Sequence, residues 1–259
     1  MRTIALMYHD VVAEHRYELS GFQSPGADRY KLDRTEFRKH LQIVAANPLP
    51  TRVTLTFDDG GIGAVQAAEI LEEFGWTGSF FITTDRIGSP GFLGDAQIRD
   101  LRRRGHLMGS HSCSHPPRMA RLTPQELDRE WGESIHALES ILGESVQTAS
   151  VPGGYHSRKV AAAAARAGIR TLFTSEPITS CANVDGCLVM GRFTVQRGAS
   201  ERWLAALVSG HLRPRLLDYL LWNGKKLLKA GGGELWLAAR ARALSNRESA
   251  AKGKAAGAR

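Results

Sequence analysis

A chain of 259 residues, 42% hydrophobic and 23% charged, can bury a core of its own, which excludes a disordered or fibrous polymer. Three cysteines, Cys113, Cys181 and Cys187, exclude a disulfide framework or paired C-x-x-C zinc knot; Cys181 and Cys187 could bridge in an oxidising compartment, but unrelated thiols are the simpler reading. The formal net charge of +8 falls wholly on residues 201–259, with 12 basic and 4 acidic residues, while residues 1–200 hold 22 of each, so the basicity belongs to a tail and not to the body.

The first strand is expected over Thr3–Tyr8, ending at His9-Asp10. Its short apolar run falls below the roughly 7–15 residues of a signal-peptide core. No stretch reaches the ~18 apolar residues of a membrane span. These readings make the chain cytoplasmic, with a peripheral membrane position open to it. Residues 14–32 form a polar loop, and Asp33-Arg-Thr-Glu36 opens a helix to about Ala46, stopped by Asn47-Pro-Leu-Pro50. Arg52–Phe57 is a strand followed at once by Asp58-Asp59-Gly60-Gly61, and a helix runs from Ala64 to Phe74. Ser79–Thr83 is the next strand and Asp95–Arg104 the next helix. His106–Gly109 then leads into His111-Ser-Cys-Ser-His115. Thr123-Pro-Gln-Glu126 is a capping box for a helix to Leu142. A weak strand over Val146–Val151 ends in Pro152-Gly153-Gly154. A helix over 158–167, a strand over Arg170–Thr174 and a last strand over Cys187–Gly191 complete the body.

Strands and helices alternate as in parallel β/α units. His9-Asp10, Asp58-Asp59, His111/His115, Pro152–Gly154 and Ser175-Glu176 all follow strand ends. In a β/α barrel those ends share the rim where chemistry sits. Adjacent carboxylates repel unless a cation or a shared proton intervenes, although either aspartate alone could be a helix cap. Two imidazoles four residues apart can meet one cation. With an aspartate they make a three-ligand set that leaves a position open, as a catalytic Zn²⁺ requires. Cys113, between them, reads as a small buried residue and not as a ligand. Glu176 could meet sugar hydroxyls or cap the chain, and Trp76 reads as packing.

The Thr56-Phe-Asp-Asp-Gly60 and His111-Ser-x-x-His115 elements, in this order and about 50 residues apart, resemble the first two motifs of the polysaccharide deacetylases (carbohydrate esterase family 4, the NodB homology domain). The resemblance spans roughly residues 3–195. It implies a distorted (β/α)₇ barrel and metal-assisted hydrolysis of N-acetyl groups on amino sugars in a polysaccharide, oligosaccharide or lipid-linked precursor. It makes Asp58 the general base and Asp59, His111 and His115 the ligands of one divalent ion, Zn²⁺ first, with Co²⁺ or Ni²⁺ as alternatives. Two departures stand out. The family's third motif carries an arginine that tethers the base, whereas Ser150-Val-Pro-Gly-Gly154 places serine there. The Gly153-Gly154 turn can still offer a backbone N–H to an oxyanion, and Arg158, Arg170 and Arg192 are unranked candidates for the tether. The late Leu-x-His motif is also missing from its usual place, and His211 fits it poorly. The N-terminal Tyr8-His9-Asp10 resembles the circularly permuted poly-N-acetylglucosamine deacetylases, which implies His9 as the general acid; a core histidine is the plainer alternative.

Residues 1–200 are thus expected to form the deacetylase domain and 201–259 a basic helical extension, its last ~15 residues disordered. Trp203, Leu204, Leu207 and Val208 suggest one helix, and Leu212, Leu216, Leu217, Leu220 and Leu221 the face of another. The extension either packs on the barrel or docks on an anionic membrane or a protein partner. Nucleic acid is disfavoured because the tail holds no recognised binding motif. Two other readings remain open. One is a catalytically silent carbohydrate-binding relative. The other is a different amidase or glycan hydrolase on the same barrel, such as a two-carboxylate glycosidase, which would want its carboxylates on separate strands.

Overall fold

A computed structural model describes residues 2–47, 51–154 and 156–224. The elements run β1 (Arg2–Tyr8), β2 (Val11–Val12), β3 (Leu32–Asp33), α1 (Arg34–Ala45), β4 (Thr51–Phe57), α2 (Gly63–Glu73), β5 (Ser79–Ile82), α3 (Asp95–Arg103), β6 (Leu107–Ser110), α4 (Pro124–Leu142), β7 (Thr148–Ser150), α5 (Arg158–Arg166), β8 (Thr171–Phe173), β9 (Cys181–Val184), β10 (Cys187–Met190), β11 (Phe193–Thr194) and α6 (Glu201–Val208). A further helix, α7, covers 212–224. The expected proline stop at 48–50, the later part of the basic extension and its disordered end lie outside the described residues.

The helix starts follow local chemistry. Asp33 accepts the Glu36 N–H at 2.7 Å to open α1. Thr123 and Glu126 form the reciprocal box of α4, with the Thr123 N–H to Glu126 carboxylate contact at 2.7 Å. Gly143 ends α4 in the left-handed region at φ 70°, where a Cβ would be strained.

The main sheet is ordered β11-β1-β4-β5-β6-β7-β8-β10-β9, all parallel except the β9–β10 hairpin. Its last strand changes partners. β10 pairs with β8 at one end of the order, and β11 pairs with β1 at the other. Only Gly191 and Arg192 separate them, so the curled sheet comes round on itself as a distorted barrel of seven parallel positions, β1, β4, β5, β6, β7, β8 and β10/β11. Gly191 is required at this seam, because a Cβ there would lie 2.2 Å from the Glu176 carbonyl oxygen.

Side chains alternate across each strand. Ile4, Leu6, Tyr8, Leu55, Phe57, Phe80 and Leu172 join the large outer core under the helices. Ala5, Phe81 and Phe173 form a small separate cluster, with Met190 against it. Leu204, Leu207 and Val208 of α6 are fully buried in the outer core. The three cysteines are free, Cys181 facing Met190 and Cys187 facing Val184 across the hairpin.

Candidate metal centre and catalytic rim

Because the barrel strands run parallel, the segments after β1, β4, β6, β7 and β8 emerge on one edge. Asp59, His111 and His115 meet there, each offering a ligand atom within 4.8 Å of the others. The imidazole Nε2 atoms of His111 and His115 lie 3.4 and 3.5 Å from Asp59 Oδ1. That is long for charge-assisted hydrogen bonds and suits three donors spread around a cation. Three non-glycine residues here take positive φ, Asp59 at 77°, Ser112 at 63° and His115 at 59°. Such strain gathers where side-chain placement is over-determined. Burial pushes the Asp59 carboxyl up, but His9, His111 and His115 together hold it well below the usual carboxylate range. Burial likewise opposes the charged form of His115, and Asp59 with Asp58 outweighs it to raise its pKa.

Asp58 is 4% exposed and stands apart from that trio. Arg192, fully buried, grips it with both arms of the guanidinium, Nη1 to Oδ1 at 2.7 Å and Nη2 to Oδ2 at 2.8 Å. The same guanidinium reaches Thr56 Oγ1 at 3.1 Å and the Thr174 carbonyl at 3.1 Å. It also lies 5.7 and 5.8 Å from the ring centres of Phe81 and Phe173. Burial pushes the Asp58 carboxyl up; Arg192 leads the groups that outweigh it and keep it ionised. Of the three arginines proposed from sequence, the tether is Arg192. Arg158 is exposed beside Asp185.

Ser150, standing where the arginine was expected, has a bridging place. Its hydroxyl donates to Asp58 Oδ1 at 3.0 Å and lies 2.5 Å from His111 Nδ1, which also meets the Ser150 carbonyl at 3.1 Å. With the hydroxyl proton directed to Asp58, His111 Nδ1–H is the donor and Nε2 keeps its lone pair toward Asp59, the tautomer a metal ligand needs. Donor chemistry, spacing and tautomer therefore fit one divalent cation.

His9 follows β1, and its half-buried imidazole feels the charges of Asp59, Asp58, His111 and Arg192; desolvation dominates and lowers its pKa. Gly153 and Gly154 lie in the short Pro152–Gly154 turn after β7, both at positive φ. A Cβ at Gly154 would lie 2.2 Å from Ser175 Oγ. Glu176 contributes its backbone carbonyl, which accepts the Arg192 N–H at 2.9 Å. Cys113 Sγ lies 3.0 Å from Asp85 Oδ1, and burial pushes its thiol up to about 12. Trp76 packs on Phe74, and His211 is exposed just before α7.

Sequence reasoning placed a polar loop over residues 14–32 but did not foresee that this loop, between β2 and β3, packs on the site. It lays Phe22 on His115, centroids 4.8 Å apart, and Tyr30 on His9, 4.6 Å apart. Its root is the buried Asp10, whose carboxylate accepts from Ser20 Oγ at 2.7 Å, while that oxygen accepts the Gly63 N–H at 2.7 Å. The aromatic residues within an otherwise polar loop were the available signal.

Fold and rim together define an α/β barrel with a candidate metal centre and an arginine-held carboxylate beside it. Residues 45–172 match the polysaccharide deacetylase family. That stretch of the chain carries the polysaccharide deacetylase domain. YxkH of Bacillus subtilis (strain 168), whose name assigns it provisionally to the polysaccharide deacetylases, is 26% identical over 157 residues, 60% of this chain and 56% of that protein. The chain thus spans little more than half of that relative. Among solved structures, BC0361, a polysaccharide deacetylase from Bacillus cereus, superposes with a TM-score of 0.68 at 18% identity, covering 80% of this chain and 69% of that one. The Streptococcus pyogenes deacetylase PplD in complex with acetate gives 0.66 at 19% identity, covering 81% and 98%. At these identities the likeness is one of fold.

Proposed function

We propose that this chain hydrolyses N-acetyl groups of amino sugars in a glycan, with Asp58 as general base and His9 as general acid. Asp59, His111 and His115 would hold one divalent ion, Zn²⁺ in the first instance, with Co²⁺ or Ni²⁺ as alternatives. When bound, that ion supplies Lewis-acid polarisation and makes water more acidic. The observation that carries the reading is the pairing of a three-donor cluster with a separately tethered, ionised Asp58. Two aspartates adjacent in sequence have been given different partners, and therefore different tasks.

Asp58, kept anionic by Arg192 and oriented by Ser150, accepts the proton of the water that attacks the acetyl carbonyl carbon. Backbone N–H groups of the Gly153-Gly154 turn stabilise the oxyanion. As the C–N bond breaks, His9 delivers a proton to the departing amine nitrogen, leaving acetate and a free amino sugar. The acetate in the PplD complex is the matching product.

The test is acetate release from N-acetylglucosamine oligomers by metal-stripped protein, with and without added Zn²⁺ or Co²⁺. Asp58→Asn should lose about a hundredfold or more in kcat while retaining metal, and His9→Ala should lose a comparable amount. Turnover by Asp58→Asn at the wild-type rate, or metal-independent turnover, would rule the assignment out.

For the extension beyond residue 200, the reading is docking to an anionic membrane surface, which would set the enzyme beside membrane-bound glycan assembly on the cytoplasmic side. Leu212, Leu216, Leu217, Leu220 and Leu221 of α7 are 57–68% exposed, and the surplus of basic residues follows in the same segment. No helix among the described residues is long and apolar enough to cross a membrane.

A further inference from the structure

A histidine that moves protons usually has its remote ring nitrogen fixed by a carboxylate or a carbonyl. His111 obeys that rule through Ser150. His9 does not: its Nδ1 is buried and has no hydrogen-bond partner among the described residues. What it has is a ring. The phenol of Tyr30 lies over the imidazole, centroids 4.6 Å apart and planes inclined by 34°.

We propose that Tyr30 is the positioning residue of His9, its ring face holding the imidazole in one orientation where a hydrogen bond would ordinarily do so. The proposal rests on His9 being the acid of the reaction above.

The backbone carrying Tyr30 is built to hold a ring still. The Tyr30 N–H donates to the Ala27 carbonyl at 2.9 Å. The preceding Arg29 is tied to the segment after β11, its carbonyl accepting the Arg197 N–H at 2.8 Å and its guanidinium meeting Gln196 Oε1 at 3.1 Å. The following Lys31 is 2% exposed, with its ammonium on the Tyr17 carbonyl at 2.8 Å and on Asp28 Oδ1 at 2.9 Å. The Leu32 N–H then donates to the Asp10 carbonyl at 2.9 Å, one residue beyond His9 itself. Tyr30 is thereby fixed to the strand end that delivers the imidazole. Flat aromatic contact at this separation favours an offset arrangement and resists ring rotation. The same loop repeats the device on the ligand side, with Phe22 against His115 at 4.8 Å.

A tyrosine that only filled space would affect stability whatever stood at position 9. A positioning residue acts through His9 alone, and a double-mutant cycle separates the two. Acetate release from N-acetylglucosamine oligomers would be followed with the full chain at saturating Zn²⁺, for wild type, His9→Ala, Tyr30→Ala, Tyr30→Leu, Tyr30→Phe and the double variant Tyr30→Ala/His9→Ala. Tyr30→Ala and Tyr30→Leu should lower kcat about tenfold with KM within about twofold, as misorientation of a reacting group does. Tyr30→Phe should restore it, and Tyr30→Ala should add nothing in the His9→Ala background. Imidazole NMR of the same proteins reads the orientation without turnover. The His9 ring signal should be single and sharp in wild type and Tyr30→Phe, and broadened or split in Tyr30→Ala. An unchanged kcat and an unchanged His9 signal in Tyr30→Ala would overturn the proposal. So would an equal loss with and without His9, or a loss confined to KM, either of which would make Tyr30 a substrate contact. Full activity in His9→Ala would instead remove the acid assignment beneath it.

Discussion

Asp58 stays ionised at 4% exposure because one arginine, 134 positions later in the chain, surrounds its carboxylate. Breaking a buried ion pair from one side leaves an uncompensated charge, which costs about 3–5 kcal/mol. Arg192→Met should therefore lower stability by that order in urea unfolding, and adding Asp58→Asn should return much of it, the signature of coupled neighbours. Sequence reading reached the carboxylates and imidazoles because residue type and spacing announce them. It could only name three arginines, since a tether is defined by which strand comes round beside Asp58. Asp10 supports a second expectation. Burial raises its carboxyl to about 7, opposed chiefly by the Ser20 hydrogen bond. A folded-state pKa above the unfolded value of about 4 means that the native state holds the proton longer. That stability is full below about pH 4 and is lost as pH rises through about 7. Asp10→Asn should flatten the fall in melting temperature between those limits, measured at fixed metal occupancy.

Among the elements, the helices and the longer strands were legible, because capping boxes and apolar periodicity are local properties. The Thr123–Glu126 box opens α4 where it was expected. β6 was read only as an approach to the histidines, for its four residues include Gly109 and a half-exposed Leu107. β9 and β11, of four and two residues, escaped altogether; such short strands exist by virtue of their partners and carry little pattern of their own. Gly109 shows what β6 must satisfy. A Cβ there would stand 2.7 Å from the Phe81 ring and 2.7 Å from the Thr148 carbonyl oxygen. Gly109→Ala must push β6 away from β5 and β7, and β6 delivers His111. The expected result is a loss of about 1–3 kcal/mol in thermal unfolding, together with weaker Zn²⁺ retention against a chelator. A variant that melts like wild type and holds Zn²⁺ equally well would show that the strand absorbs the methyl.

Taken whole, the molecule divides its charge unevenly, neutral through residue 200 and +8 beyond it. The inner side of α7 is fastened to the body, with Asp218 accepting from the Trp203 indole at 3.0 Å and Arg215 meeting Thr179. The leucines are left outward. Co-sedimentation of the full chain with vesicles containing phosphatidylglycerol should therefore be strong at low salt and weaken as ionic strength rises, while neutral vesicles recover little. Leu216→Glu with Leu220→Glu should abolish it without altering acetate release from soluble oligomers. A concentration-dependent dimer that the same variant dissociates would assign the leucine face to a second copy.

The two-residue seam at Gly191-Arg192 also decides what this chain can be reduced to. The stretch that matches the family, 45–172, holds β4 through β7 and most of β8 but neither β1 nor β10/β11. Cut out alone, it would bare a hydrogen-bonding edge on each side and bury Asp58 without its counter-charge. Such edges invite association with other chains. The recognisable motifs are therefore not a portable module. The smallest fragment that could perform the proposed chemistry runs from β1 to β11, and on the ribosome Asp58 lacks the Arg192 counter-charge until residue 192 has been made.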